Sequence, residues 1–387
     1  MKPILQTCCG VDVHKDMIEA CIIKGVDNPE FIRKQFGTFQ NELKDFVQWL
    51  FENDCFHIAM ESTGVYWRPV YEAIEEFSPY YENIIVANAN HMRNLPGRKS
   101  DIKDAEWIAT LMQHGLLEAS FVPERTIRDL RDFSRIYKNA VSEKSRCLNR
   151  LEKFLQTHGF KLSSVLSDIN SVSGINILTT LSQKGSLSVD DILNAVSRHT
   201  KKTPEEIQLA VCGKLNSCEC ILLSDFLNQL KQIQQHIDLI LGKMIEISAP
   251  YSHIIEQLDS IIGIDVTSAL LILAEIGDNV QQNFKSSAHL CSWAGLSPRN
   301  DQSAGKIKSK KIMHGNPYIK SILCQIAWVA ARNRKNPFGC WFWKNQARLG
   351  KKKAIIAVSR KILSLIYYLI TNDKFYDNKV AMRPYLN

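Results

Sequence analysis

The chain has 387 residues and a mass of 44.1 kDa, with 48 Lys and Arg against 40 Asp and Glu, a formal charge of +8. A hydrophobic content of 45% with 23% charged residues excludes a disordered chain. At roughly 150 residues per domain the length predicts two or three domains.

The charge is unevenly spread. From Arg299 to Lys361 there are sixteen Lys and Arg and one acid, Asp301, a local charge of +15 that leaves −7 for the remainder. That asymmetry points to nucleic acid or an anionic membrane as partner. The membrane is disfavoured. Residues 1–16 lack the apolar run of a secretory signal, and 354–370, broken by Ser359, Arg360 and Lys361, reads as too short and too charged to span a bilayer. The eleven cysteines form no CxxC pair and no zinc-finger spacing, which predicts reduced thiols in a cytoplasmic protein.

Apolar spacing predicts strands over 8–14, 20–24 and 31–36, then a helix over 41–52 with Leu43, Phe46, Val47 and Leu50 on one face. A strand at 57–60, a helix over 68–77 entered near Pro69, a strand at 83–87 and a helix over 104–117 follow. Three antiparallel strands followed by crossover units is the ribonuclease-H-like order, so 1–124 is expected to be an α/β domain of ribonuclease-H-like fold.

Residues 125–249 are expected to be helical. Ile127, Leu130, Ser134, Tyr137, Val141, Lys144, Leu148, Leu151 and Leu155 step by threes and fours, and so do Phe226, Leu230, Ile233, Ile237, Ile240, Met244 and Ile247. These are heptad seams; the spacing leaves open whether they pack within one chain or form a coiled coil between subunits. Between them, Thr203-Pro-Glu-Glu206 reads as a helix start, and 160–224 carries no recognisable chemistry. The last domain, 250–387, is expected to be mostly helical. Its 258–277 segment reads as a helix-hairpin-helix-like turn that could present amides to a DNA phosphate, although on that segment alone an ordinary αα-hairpin is favoured. Residues 297–317 read as a polar basic loop, with helix from 318 onwards.

Four carboxylates stand out by position. Asp12 lies within the first strand, Glu61 ends the fourth, and Asp101 and Asp104 open the helix after the fifth. A carboxylate inside a buried strand is costly unless paired or metal-bound. If the first and fourth strands are neighbours, these acids converge, and their hard oxygens suit Mg²⁺ or Mn²⁺, with two ions able to clamp a phosphoryl transfer. Each acid alone is better explained as an ordinary surface or helix-start group; the set of four is not. Glu19, Glu72 and Glu106 are expected to lie outside the cluster. In the basic loop, Ser303 stands among Arg299, Lys306, Lys308, Lys310 and Lys311, which would grip a DNA backbone. By itself it is a loop serine, with no His–Asp pair beside it to make a triad.

These runs together resemble a known family. Gly10-Val-Asp12-Val-His14, Met60-Glu61-Ser-Thr-Gly-Val-Tyr-Trp67 and Ser100-Asp101-Ile-Lys-Asp104-Ala105 resemble the DEDD domain of the insertion-sequence-110 (IS110) transposases, also called bridge-RNA-guided recombinases. Trp293-Ala-Gly-Leu-Ser-Pro-Arg299, Gln302-Ser303-Ala-Gly-Lys306 and His314-Gly-Asn-Pro-Tyr318 resemble their C-terminal transposase domain. The resemblance implies cutting and rejoining of donor and target double-stranded DNA, Mg²⁺ held by Asp12, Glu61, Asp101 and Asp104, and a covalent link through Ser303, with Ser297 and Ser309 nearby as alternatives. It also implies a structured guide RNA and a homo-oligomer, dimer or tetramer, joined by the coiled coil. The acids and the serine are far apart in sequence, so a composite site is expected, within one chain or between subunits. The rival readings are a RuvC-like junction-resolving nuclease that uses water and a non-catalytic nucleic-acid-binding protein. A sugar kinase or actin-like ATPase is disfavoured because no second glycine-rich phosphate loop follows the first strand.

Overall fold

The computed structural model describes residues 3–62, 64–76, 83–87, 92, 104–197, 202–299, 301–303, 306–309 and 311–377, with 301–303 and 306–309 as backbone. The chain divides into two compact units, Met1–Val122 and Pro123–Asn387; the long-helix region and the C-terminal region both fall in the second.

The first unit is built on five strands, β1 (Thr7–Val13), β2 (Met17–Lys24), β3 (Glu30–Gly37), β4 (His57–Glu61) and β5 (Asn83–Ala87), in the order β3-β2-β1-β4-β5. The first three are antiparallel neighbours, and β4 and β5 add parallel to β1. Helix α1 (Gln40–Glu52) precedes β4, and α2 (Trp67–Glu75) joins β4 to β5. Strand alternation sends Cys9, Val11 and Val13 to one face, where Phe46 and Leu50 of α1 and Val70 and Ile74 of α2 cover them. Cys8, Ile23, Ala59 and Ala87 point to the other face, under Ile108, Leu111 and Met112 of α3 (Asp104–Gln113).

Two boundaries of the first unit differ from the sequence expectation by three residues or more. Strand β2 begins three residues earlier, at Met17, because a two-residue loop at Lys15–Asp16 lets it pair with β1 at once, His14 N–H donating to Met17 O at 2.9 Å. Helix α3 stops at Gln113. There Gly115, at φ +65°, closes a Schellman motif in which Leu116 N–H reaches Leu111 O and Gly115 N–H reaches Met112 O.

In the second unit, helices α4 (Arg125–Thr157) and α8 (Ser217–Ile247) pack on each other. Much of the two heptad seams is therefore consumed within one chain: Leu151 and Leu155 of α4 bury with Leu230 of α8. The short helices α5 (Val172–Lys184), α6 (Val189–Ala195) and α7 (Pro204–Ala210) close one end of that core through Ile177, Leu181, Ile192 and Ile207. Helix α7 starts at the expected capping box, Glu206 N–H donating to Thr203 Oγ1 and Thr203 N–H to Glu206 Oε2.

Helices α9 (Ser252–Asp259), α10 (Val266–Ile276), α11 (Val280–Asn283) and α12 (Ser287–Trp293) follow, then a hairpin of β6 (Asp301–Ser303) and β7 (Lys306–Ser309). Helices α13 (Pro317–Arg332), α14 (Pro337–Leu349) and α15 (Lys351–Thr371) complete the unit. Helix α15 has 21 residues and is long and apolar enough to cross a membrane, contrary to the sequence reading. It buries Ala354, Val358, Ile362, Leu363 and Ile366 against its neighbours. The α9–α10 turn lies against α13 at Gly263, where a Cβ would come within 3.1 Å of Ile326 O, and Asp265 Oδ1 caps α10 by accepting the Ser268 amide at 2.8 Å. Those features are those of an ordinary αα-hairpin.

Candidate active site

The acidic face of the first unit follows from register. Val11 pairs with Met60, so the next residues, Asp12 and Glu61, are neighbours on one face of the sheet. That is the α3 face. Gly10 brings the helix down onto the strand: a Cβ there would strike the Ala105 carbonyl oxygen and the Ala109 amide nitrogen. Asp104 is the first residue of α3 and so enters over β1 beside Asp12. Asp101 lies outside the described residues.

The Asp12 carboxyl is 16% exposed, and its Oδ2 lies 3.1 Å from Nε2 of His14. Burial raises its pKa, His14 opposes the rise, and the carboxylates of Asp104, Glu61 and Glu19 add to it. Asp104 and Glu61 therefore stand near enough to Asp12 to act on it electrostatically.

Glu19 corrects the sequence reading, which placed it outside the cluster. It stands directly across from Asp12 on β2 and accepts a hydrogen bond from Gln35 Nε2 at 2.8 Å. The signal was present in the sequence, since a turn at Lys15–Asp16 fixes the partner of Asp12 as Glu19. His14 was likewise not singled out. Glu106 is bound by Arg33, and Glu72 pairs with Arg68 along α2 at 2.8 Å. Burial pushes the sheet thiols up, Cys8 to about 12 and Cys21 to about 11, so neither offers a thiolate at neutral pH.

Among the described residues no three carboxylate, imidazole or thiolate groups are placed to hold a metal ion as they stand. The donor chemistry nevertheless fits a hard divalent cation: carboxylate oxygens on one half-buried face whose mutual repulsion a cation would relieve.

In the second unit, the stretch expected to be a loop is a hairpin. Pro298 bridges to Ile312, Arg299 N–H donates to Lys311 O at 2.9 Å, and Met313 N–H donates to Ser297 O at 3.0 Å. Above that base Asp301 faces Ser309, and Ser303, the last residue of β6, faces Lys306, the first of β7. Within Lys306–Ser309 only Ile307 is apolar, too little alternation to announce a strand in the sequence. The three candidate serines are thereby separated along the hairpin: Ser297 at its base, Ser309 midway and Ser303 at its far end. Lys308 lies on β7, Arg299 and Lys311 are exposed at the base, and Lys310 lies outside the described residues.

The base of this hairpin interlocks two motifs that read as separate runs. Gly295 takes φ +69°, and Gly315 packs so closely that a Cβ would strike the Gly295 backbone and the Trp293 carbonyl. Asn316 N–H donates to Trp293 O at 3.0 Å, and its side chain caps α13 by accepting the amides of Tyr318 and Ile319. Sequence reasoning missed Glu275 on α10, 1% exposed, which accepts from Asn316 and faces Arg131 and Arg135 of α4.

Two family models match this chain. A DEDD transposase model of the IS110 group covers residues 9–159, and a second, described as transposase of the IS116/IS110/IS902 family, covers 255–339. The chain belongs to the IS110 transposase family. The Asp12–Glu61 face lies in the first match, and the serine hairpin, Glu275 and Asn316 lie in the second. Among curated relatives, a pilin gene-inverting protein of Moraxella bovis is 30% identical over 142 residues, 36% of this chain and 43% of its own length. The transposase for insertion sequence element IS1111A of Coxiella burnetii is 22% identical over 383 residues, 95% of this chain and 90% of its own length. An uncharacterised 43.6 kDa protein of insertion element IS110 from Streptomyces coelicolor is 25% identical over 126 residues, 32% of this chain and 30% of its own. The matches to the two Moraxella proteins span 43% and 34% of those relatives' length.

Proposed function

We propose that this IS110-family chain is a DNA transposase, a recombinase that cuts and rejoins donor and target DNA of an insertion sequence. The observation that carries the reading is the face on which strand register sets Asp12 beside Glu61 and Gly10 lets the helix bearing Asp104 lie against β1, both acids near enough to raise the Asp12 pKa. The names of the Moraxella and Coxiella relatives support it, since gene inversion and transposition both break and reseal DNA strands.

In this reading the first unit is a RuvC-like nuclease domain in which Asp12, Glu61, Asp104 and Asp101 hold divalent metal. Bound Mg²⁺ or Mn²⁺, two ions in this proposal, would stabilise charge on the attacking and leaving oxygens of the scissile phosphate. Ser303 attacks the phosphorus, its hydroxyl proton passes to solvent or a neighbouring base, and the 3′ or 5′ oxygen of the cut strand leaves, giving a phosphoserine link that a second strand end resolves. Arg299, Lys306, Lys308, Lys310 and Lys311 hold the flanking phosphates. The choice of sequence rests with a structured guide RNA, and this part of the reading is carried by the motif resemblance alone. An oligomer, dimer or tetramer, would use faces of α8 other than the seam, such as that of the exposed Ile221 and Leu239, which lie five helical turns apart on one side.

The experiment is to trap a covalent protein–DNA adduct with a cleavable donor junction and to repeat it with Ser303→Ala. Loss of the adduct together with loss of cleavage supports the serine nucleophile. Full cleavage without any adduct assigns the chemistry to water and makes the protein a junction-resolving nuclease.

A further inference from the structure

The C-terminal helices carry a surface that the hairpin chemistry does not use. Between Asp301 and Asp373 the chain contains no carboxylate, while Arg332, Arg334, Lys335, Lys344 and Arg348 follow one another across α13, its turn and α14. Tryptophans are normally well buried on average. Here Trp328 of α13 and Trp343 of α14 are 44% and 38% exposed.

The two indoles are held in place. The buried ring of Phe342 lies between them, with T-shaped contacts to Trp328 at 5.8 Å and to Trp343 at 5.6 Å between centroids. Trp343 Nε1 donates to Ala331 O at 2.9 Å, and the Arg334 guanidinium carbon lies 3.8 Å from its ring centroid. The corner beneath is rigid: Asn336 donates to Ala330 O at 2.7 Å and accepts the Gly339 amide at 2.7 Å. Arg332 follows Trp328 by one helical turn and shares its face. Rings fixed in this way lose little rotamer freedom when a ligand stacks on them.

Charge decides the partner. A second copy docked face to face would set cation against cation, and an acidic protein would use the lysines without needing fixed indoles. A DNA duplex hides the faces of its bases. An unpaired strand offers both complements, phosphates for the cations and π-faces for the indoles. We propose that Trp328 and Trp343 form a stacking platform for the bases of an unpaired DNA strand, with Arg332, Arg334 and Lys344 on its phosphates. The choice of DNA rests on the DNA-acting reading above; the platform itself rests on the geometry.

The test uses the full chain and fluorescence anisotropy with a short labelled oligonucleotide presented as single-stranded DNA, as its duplex and as the same sequence in RNA. Trp343→Ala and Trp328→Ala are each expected to weaken single-stranded DNA binding by about 5- to 100-fold while duplex affinity holds. Trp343→Phe restores most of the loss. Trp328→Ala, which removes the more exposed ring, keeps the test valid if Trp343→Ala unfolds by circular dichroism. Unchanged single-strand affinity in the folded variants overturns the platform, as does an equal loss on duplex. A loss confined to RNA overturns the assignment to DNA. Because binding and not cleavage is read, a missing Ser303 adduct would leave this result standing.

Discussion

Asn316 Nδ2 donates to Glu275 Oε2 at 2.6 Å, and this one bond ties the base of the serine hairpin to a buried ionic cluster. Arg131 donates to the carbonyls of Ala274 and Glu275 at 2.9 and 2.8 Å, and Arg135 Nε lies 3.3 Å from Glu275 Oε1. Burial brings the Arg131 guanidinium down to about 10, still charged at neutral pH. The long helix α4, helix α10 and the start of α13 thus meet on a single carboxylate. Removing one partner of such a group strands the others, so Glu275→Ala is expected to lower stability by about 3 kcal/mol. Urea unfolding measures it. Glu275→Gln keeps an acceptor for Asn316 but not the charge, and is expected to fall between the two. A Glu275→Ala variant as stable as wild type would show that the cluster is incidental.

The α/β order of the first unit was legible because each strand and helix declares itself by local periodicity. The paired acids were legible because Asp12 and Glu61 interrupt apolar strands. Glu19 was hidden because its place depends on the register of a hairpin rather than on spacing along the chain. Glu275 was hidden for a related reason: within Leu270–Ile276 it reads as the polar end of an apolar helix, and its partners Arg131, Arg135 and Asn316 lie far from it in sequence. The partner of the heptad seam was also undetermined, since a seam specifies a face and not which helix covers it. Trp328 and Trp343 were unremarkable in sequence because exposure is a tertiary property.

Gly10 is expected to be intolerant of any side chain. Its missing Cβ is what lets α3 lie against β1, with Ala105 and Ala109 in the space a methyl would take. Gly10→Ala therefore forces the helix away, with an overpacking cost of about 1–3 kcal/mol. The same displacement carries Asp104 off Asp12, so the proposed metal-dependent strand cleavage is expected to drop by more than the stability loss explains. Comparing cleavage with thermal unfolding separates the effects. Cleavage that tracks the folded fraction alone would remove Gly10 from any role in placing Asp104.

Gly315→Ala makes a parallel demand on the second unit. A Cβ at Gly315 would collide with the Gly295 backbone, which is already in the left-handed region at φ +69°. The hairpin base and the Asn316 cap of α13 would both shift, at a cost of about 1–3 kcal/mol. The reaction proposed for Ser303 is expected to fall sharply, while the single-stranded DNA binding proposed for Trp328 and Trp343 persists. Loss of both together would point to general unfolding of the C-terminal helices, which circular dichroism would register.

The carboxylate face makes a prediction in pH and metal together. Asp12 has a folded-state pKa raised above its unfolded value by burial, with Asp104, Glu61 and Glu19 adding to the rise against His14. A raised carboxyl favours the fold while protonated. Its contribution is therefore complete below the unfolded pKa, near 3.9, and is lost as pH rises through the folded pKa. Without divalent ion, wild-type stability relative to Asp12→Asn is expected to fall over that interval and to stay lower at neutral pH. Adding Mg²⁺ reverses the order, because a cation bound to the folded face alone adds about 2.7 kcal/mol at a hundredfold excess over its Kd. Asp12→Asn should gain much less. Thermal unfolding of both proteins across pH, with Mg²⁺ and with chelator, measures every term. Parallel pH curves and an equal Mg²⁺ response in the two proteins would mean that Asp12 neither carries the cluster's repulsion nor binds the ion.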